Sequence, residues 1–324
     1  MIVVTTPTGN IGSQVLKDLL ANKEPIRVIV RDPDRLAPEA RKRVEVVVGS
    51  HGDSAVDTRA FQDADSVFWV VPPDPRAASV EEAYIDFARP AVKALRQQGV
   101  KRVVGVSALG RGTPWATHAG LATASFAMDD LIASSGVSYR ALTMPSFMEN
   151  LLRQVESIST NGAFFLPIDG DRKLPSAAAS DVARVAARLL LDHSWTGVAS
   201  VPILGPEDLS YNDMARILSE VLGRPVRFEQ ISNDAFQGAA DRPRNVGCHG
   251  AGQRRYVDRQ GQRNRQCRHT HSGVVHSDHV SRLGLAGPEG ASRAVSFHFR
   301  GRLAAAQRAV GWTTLPSRQT GPCS

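Results

Sequence analysis

The sequence predicts an α/β protein built on a doubly wound parallel sheet, and three observations predict it. Short β-branched runs alternate with segments of helical spacing from residue 1 to about 146. The opening run Ile2-Val3-Val4 passes through a turn of small residues into a stripe of Ile11, Val15, Leu16, Leu19 and Leu20 at helical spacing. The later strand-like runs stop on small or polar residues, which right-handed crossovers would collect on one edge of the sheet.

In chain order, Ile26 to Arg31 reads as the second strand, Val44 to Gly49 as the third and Ser66 to Val71 as the fourth. A helical segment around Val56 to Gln62 separates the last two. Pro72 and Pro73 stop the fourth strand at its C-terminal end. Glu81 to Gln98 is an amphipathic helix with Tyr84, Phe87, Ala88, Ala91 and Leu95 on its apolar side. Arg102 to Ser107 is the fifth strand. A loop over Ala108 to Thr117, a helix over Ala119 to Ser134 and a strand over Tyr139 to Thr143 follow. After Pro145 the spacing predicts a helix over Phe147 to Ile158, a strand over Phe164 to Pro167 and a turn at Asp169-Gly170-Asp171. A helix over Ser180 to Leu191, a strand over Ala199 to Leu204, a helix from Ser210 to Leu222 and a strand to Gln230 complete the pattern. Ser210 with Asp213 suits a capping box, and Gly223 suits the helix end. The division expected is a domain over 1–146, a small C-terminal α/β subdomain over 147–238 interleaved with it, and a tail over 239–324.

A buried strand, a tight turn and a helix starting at residue 1 are the opening of a Rossmann-like βαβ unit. The turn Thr6-x-x-Gly9-x-x-Gly12 has a threonine where the first glycine of the dinucleotide fingerprint stands. Such a turn aims backbone N–H groups and a helix N-terminus at one point, which suits a pyrophosphate. Thr6, Thr8, Gly9, Asn10, Ile11 and Gly12 are therefore candidate cofactor residues. Arg31 ends the second strand, where an Arg accommodates the 2′-phosphate of NADP and an acidic residue the 2′-hydroxyl of NAD; Asp32 follows it. NADP(H) is favoured over NAD(H). The other strand ends add Ser50, Val71, Pro72, Ser107, Pro145 and Ser146.

The net charge of +7 is unevenly placed. Residues 240–324 hold 14 Arg, no Lys and 4 acidic residues, while the remaining 239 residues hold 25 basic and 28 acidic side chains. A slightly acidic body gives no reason to expect nucleic acid there. No run of about 18 apolar residues predicts a membrane span. The chain enters a strand at once, without a charged n-region and apolar h-region, so a cytoplasmic protein is expected.

The segments TGNIG, VRDPDRL, VVGVSALG, SSGVSYRALTMPSFMENLL and LGPEDLSYNDMARILSEVLGRPVRFEQIS resemble the NmrA-like, NAD(P)H-binding branch of the atypical short-chain dehydrogenase/reductase family. The resemblance runs from residue 1 to about 238. It implies a Rossmann domain, a small C-terminal subdomain and a bound NAD(P)(H). Enzymes of the superfamily commonly carry a Tyr-x-x-x-Lys pair, in which the lysine lowers the tyrosine pKa. Here the matching place is His118-Ala119-Gly120-Leu121-Ala122, without tyrosine or lysine. His118 and Ser107 are the weak catalytic candidates, and no partner for Ser107 is read from the sequence. Two functions follow: an NADPH-dependent reductase of an electron-poor small molecule such as a quinone, or a non-catalytic redox sensor that regulates a protein partner. Phe147, Met148, Phe164 and Phe165 are an apolar wall for a small apolar substrate or, with more weight, core.

From about Ala239 the helix and strand periods stop. All three cysteines and six of the nine histidines lie in this tail. Cys248, His249, Cys267, His269 and His271 do not form two close ligand pairs, so no metal site is expected. Displaced by one base, Arg244 to Gln253 permits GMSDAMAQG, Asn264 to Thr270 permits IDNAVT and Ser272 to Gly284 permits PESSTPTTFRGW, which resemble the family's closing segments. The expectation is an out-of-frame, disordered basic tail that leaves Leu218, Val221 and Phe228 partly uncovered; resequencing the gene near Ala239 tests it.

Overall fold

The structure, a computed structural model, describes residues 1–72, 74 and 77–240. The expected out-of-frame, disordered basic tail, with the cysteines and histidines from which no metal site is expected, lies outside the described residues beyond Ala240. The first part of the chain is β1 (Ile2–Thr5), α1 (Gly12–Leu19), β2 (Ile26–Val30), a 3-10 turn at Pro33–Arg35, α2 (Pro38–Arg41), β3 (Glu45–Val48), α3 (Ser54–Phe61) and β4 (Ser66–Trp69). A π-helical turn, Glu82–Asp86, leads into α4 (Phe87–Gln98), then β5 (Arg102–Ala108), a 3-10 turn at Ala116–His118, α5 (Leu121–Ala133) and β6 (Ser138–Met144). Pro90 lies inside α4 and has no N–H to donate, which accounts for the widened turn just before it.

Seven strands form one sheet in the order β10-β6-β5-β4-β1-β2-β3, with β10 spanning Val198–Pro202. Every neighbouring pair in it is parallel. The strand order reverses between β1 and β4, and both outer faces carry helices. Alternation along the strands sorts the core into two layers. Ile2, Val4, Val28, Phe68, Val104 and Leu142 face α1 and α7 (Ala179–Leu191). Val3, Ile29, Val67, Trp69, Val103 and Tyr139 face α3, α4 and α5. Strands buried on both faces read as unbroken apolar runs, which is why IVV and SVFW are legible in the sequence.

The interleaving of the C-terminal part is specific. The strand expected at Ala199–Leu204 is β10, and it adds to β6 at the edge of the main sheet. Helix α7 packs on α1 through Val182, Ala183, Ala186 and Leu190. Between β6 and α7 lie β7 (Ser146–Phe147), a 3-10 stretch at Met148–Gln154, α6 (Val155–Asn161), β8 (Ala163–Leu166) and β9 (Ser176–Ala177). After β10 come α8 (Tyr211–Leu222), β11 (Arg227–Gln230) and α9 (Asn233–Ala240). The single helix expected over Phe147–Ile158 is therefore broken. Ser146 and Phe147 pair with Ser176 and Ala177 instead, and Glu149 leaves its own segment to accept the Ala179 N–H at 3.0 and 3.1 Å. Ala178, at the N-cap of α7, has no side chain able to do this, so Glu149 caps the helix from 30 residues away.

Strands β8 and β11 pair in parallel beneath α6 and α8. Phe164, Leu218, Ala215 and Val226 are the buried centre, with Tyr211 and Phe228 stacked at 5.2 Å on its rim. Leu218, expected partly uncovered, is fully buried. The capping box forms as the spacing predicts: Asp213 N–H donates to Ser210 Oγ at 3.0 Å, and Ser210 N–H donates to Asp213 at 3.0 Å. Gly223 ends the helix at φ +64°.

Candidate functional site

Because the main sheet is parallel, the C-terminal ends of its strands share one edge, and the crevice at the β1/β4 reversal is where open α/β sheets bind ligands. Thr5 closes that point from inside. Its hydroxyl donates to the Phe68 carbonyl at 3.0 Å and accepts the Val70 N–H at 3.1 Å, continuing the β1/β4 pairing with a side chain. Thr6 then turns with φ +49°, the left-handed region that glycine adopts freely. The threonine thus takes the conformation of the missing first glycine, at a cost of about 1–2 kcal/mol.

The other two glycines make room. A Cβ on Gly12 would lie 2.2 Å from the Thr6 carbonyl oxygen, and one on Gly9 would lie 3.2 Å from it. Gly9 N–H donates to that same oxygen at 2.9 Å, so the turn folds tightly onto the head of α1. The first turn of α1 holds no acidic residue. A helix N-terminus with small residues around it and no competing carboxylate fits the pyrophosphate of a dinucleotide. Thr8, Asn10 and Ile11 lie in the same turn, Asn10 exposed and the other two half-buried.

At the end of β2, Arg31 is exposed and joins none of the ion pairs among the described residues. Asp32 is engaged locally, since its carboxylate accepts the Asp34 N–H at 3.1 Å and caps the 3-10 turn. Beyond β3, Ser50 is half-buried and accepts the Gly52 N–H at 3.3 Å. Val71 is buried and Pro72 exposed beyond β4. Between these strand ends sits a residue that the sequence did not announce. His51 is buried, its Nε2 lies 3.0 Å from the Val70 carbonyl, and its ring meets Trp69 and Phe87 edge-on at 5.1 and 4.9 Å. Burial lowers its pKa to about 4, so the neutral ring donates Nε2–H and ties the end of β3 to that of β4. A histidine directly after a strand-end serine looks like a loop residue in the sequence.

On the β5 side the structure corrects the sequence. Ser107 does have a partner: its hydroxyl lies 2.5 Å from Asp129 Oδ2. Tyr139 of β6 donates to Asp129 Oδ1 at 2.6 Å, and Arg111 Nη2 lies 3.4 Å from Oδ2. Gly105 makes this possible, because a Cβ there would fall 2.2 Å from the Tyr139 hydroxyl. Burial raises Asp129 to about 6 against the pull of its three donors. The one signal in the sequence was an aspartate at a helix position flanked by Met128 and Ile132, both buried on the core side. His118 lies apart, exposed on the 3-10 turn, its Nδ1 2.7 Å from Thr117 Oγ1. Pro145 is buried, and Ser146 accepts from Asn150 at 3.1 Å. Of the apolar wall, Phe164 is wholly buried in the small C-terminal core, whereas Phe147 and Met148 are half-buried beside Ser146. Among the described residues no helix is long and apolar enough to cross a membrane, and no group of three or more His, Cys, Asp or Glu could hold a metal ion.

Comparison with known proteins agrees with this geometry. A sequence model described as NAD(P)H-binding matches residues 7–193. The (4-alkanoyl-5-oxo-2,5-dihydrofuran-3-yl)methyl phosphate reductase of Streptomyces griseus is 31% identical over 244 residues, 74% of this chain and 80% of that protein. The NAD(P)H azoreductase of Xenophilus azovorans is 29% identical over 232 residues, 72% and 77% of the two chains. Among solved structures, the NADPH-dependent quinone oxidoreductase of Escherichia coli complexed with NADPH superposes with a TM-score of 0.66 at 24% identity, covering 82% of this chain and 89% of that one. A fold with a glycine turn shaped for a dinucleotide, together with a match over more than half its length, places this chain in the NAD(P)H-binding, NmrA-like family of atypical short-chain dehydrogenases/reductases.

Proposed function

We propose that this protein is an NAD(P)H-dependent reductase of a small electron-poor acceptor such as a quinone or an azo compound, with NADPH preferred over NADH. The observation that carries the reading is the turn from Thr6 to Gly12, where a strained threonine and two glycines clear the head of α1 at the sheet reversal. The named activities of the relatives support the acceptor class. Thr6, Thr8, Gly9, Asn10, Ile11 and Gly12 would hold the pyrophosphate. Ser50, Val71 and Pro72 would border the adenosine half, and Ser107, Pro145 and Ser146 the nicotinamide half. When bound, the cofactor supplies a hydride. The chain orients the two reactants and shields them from water, with residues 147–238 contributing Phe147 and Met148 to the acceptor side.

The NADPH preference rests on Arg31, unpaired among the described residues, beside an Asp32 already engaged with the Asp34 N–H. Titration of the protein and of Arg31→Ala with both dinucleotides tests it. The variant is expected to lose about 1.5–3 kcal/mol for NADPH, the range for hydrogen bonds to charged groups, and little for NADH. Equal losses refute the role of Arg31. NADPH consumption with a panel of quinones and azo dyes tests the reaction; tight NADPH binding with no turnover on that panel would favour a redox sensor acting on a protein partner.

A further inference from the structure

We propose that Asp129 is a positioning residue whose protonation turns the Ser107 hydroxyl toward the sheet edge and lets Ser107 pass a proton to the reduced acceptor. This inference rests on the reductase reading above and supplies the proton that the absent Tyr-x-x-x-Lys pair would otherwise deliver.

The geometry fixes which hydrogen sits where. Tyr139 is fully buried, and burial beside Asp129 pushes its hydroxyl pKa well above the ordinary value. It therefore keeps its proton and always donates to Asp129 Oδ1. A proton taken up by Asp129 goes to the other oxygen, Oδ2, which lies 2.5 Å from Ser107 Oγ. While Asp129 is ionised, the hydrogen between the two oxygens is the serine's own and points inward. When Asp129 is protonated, Oδ2–H donates to Oγ, and the serine hydrogen is free to turn outward. Ser107 is near the C-terminal end of β5, at the edge that carries the candidate cofactor residues.

The proton transfer balances. The Ser107 O–H bond breaks as its hydrogen moves to the acceptor oxygen, while the Asp129 Oδ2–H proton moves to Ser107 Oγ. Serine is regenerated and Asp129 is left as a carboxylate, held by the Tyr139 hydroxyl and the Arg111 guanidinium. Solvent returns the proton after release. The acceptor's two electrons come from NAD(P)H, the co-reactant named above.

The surroundings suit a carboxyl that titrates near neutrality. Burial raises Asp129 to about 6, while Ser107, Tyr139 and Arg111 pull the other way. Arg111 divides its charge, pairing also with the exposed Asp130 at 2.9 Å. The π-turn, α4 and the 3-10 turn packed against α5 carry Tyr84, Glu82, Asp86, Arg89, Lys93, Arg96 and His118; none of them is among the groups that shift Asp129.

The test uses the full chain, its Asp129→Asn and Ser107→Ala variants, and three measurements. In the cofactor-free protein, the infrared difference between wild type and Asp129→Asn should show a protonated-carboxyl band that disappears between about pH 5 and pH 8, apart from the band of Asp57, which both proteins keep. In turnover with a quinone, wild-type kcat should fall about tenfold per pH unit above the midpoint, whereas both variants should be slow and independent of pH. NADPH affinity should stay within about threefold in Asp129→Asn, because Asp129 is buried behind Ser107 and is not among the residues placed against the cofactor. A variant Asp129→Asn that keeps the wild-type pH limb, or a wild-type-minus-variant difference without a titrating carboxyl band, overturns the role of Asp129 with the reductase reading intact. A wild-type protein that binds NADPH and reduces no acceptor overturns the reductase reading and the proton transfer with it.

Discussion

On the β1–β3 side of the sheet, the groups brought to the edge are mainly backbone: the turn from Thr6 to Gly12 and the head of α1. On the β5–β6 side they are buried side chains, Ser107, Asp129 and Tyr139, drawn from three elements. The first arrangement depends on where side chains are missing, since a single Cβ at Gly12 would fall 2.2 Å from the Thr6 carbonyl. The second depends on polar groups finding each other inside an apolar layer, where an unmatched one is costly. A backbone site tolerates few additions; a side-chain network tolerates few removals.

The largest effect is expected where the second region also relies on a missing side chain. Gly105→Ala places a Cβ 2.2 Å from the Tyr139 hydroxyl and 2.7 and 2.8 Å from its ring carbons. It should destabilise the protein by about 3 kcal/mol through overpacking and disturbance of the Asp129 bonds. Denaturant unfolding of Gly105→Ala, Tyr139→Leu and the double variant should give a coupling of about 1 kcal/mol or more. Strict additivity would show that the two residues do not share this space.

A second test asks whether a buried carboxyl in the first region behaves differently. Asp57 of α3 is fully buried, and among the described residues neither of its oxygens has a hydrogen-bond partner. Burial, with the charge of Asp53, raises its pKa to about 8. Since this folded value lies above the ordinary carboxylate value of 3.8, the stability that Asp57 contributes is present below about pH 4 and lost as pH rises toward 8. Asp57→Asn should therefore match the wild type at about pH 4 and exceed it by a few kcal/mol at about pH 8. A constant difference between the two proteins across that range would contradict a titrating Asp57.

The smallest effect belongs to Thr6. Thr6→Gly removes the strain of φ +49° but gives the unfolded chain more freedom. The net expectation is a gain of about 0.5–1 kcal/mol in thermal unfolding, with NADPH affinity retained. A clear loss of affinity would show that the threonine side chain, and not only its backbone, serves the ligand.

Much of the fold was legible because buried parallel strands and amphipathic helices leave periodic traces in the chain, as in IVV, SVFW and the stripe of α8. The glycine turn was legible for the same local reason: its residues lie within one short segment, and their sizes alone announce it. Boundaries shifted where a distant partner competed. Ser146-Phe147 left a helical pattern to pair with Ser176-Ala177, and Glu149 was drawn away to cap α7.

The sequence by itself determined the doubly wound sheet, the turn at Thr6–Gly12, the unusual residue at its first position and the lack of a Tyr-x-x-x-Lys pair. Only the tertiary structure decided that Thr6 adopts the glycine conformation, that Asp32 is engaged with its own turn and that Ser107 has a partner. The physical reason is range. Periodicity and turn chemistry act over a few residues, whereas the Ser107–Asp129–Tyr139 contacts need β5, β6 and α5 packed together. Burial then sets the charge on Asp129, and no property of the aspartate within its own helix specifies that value.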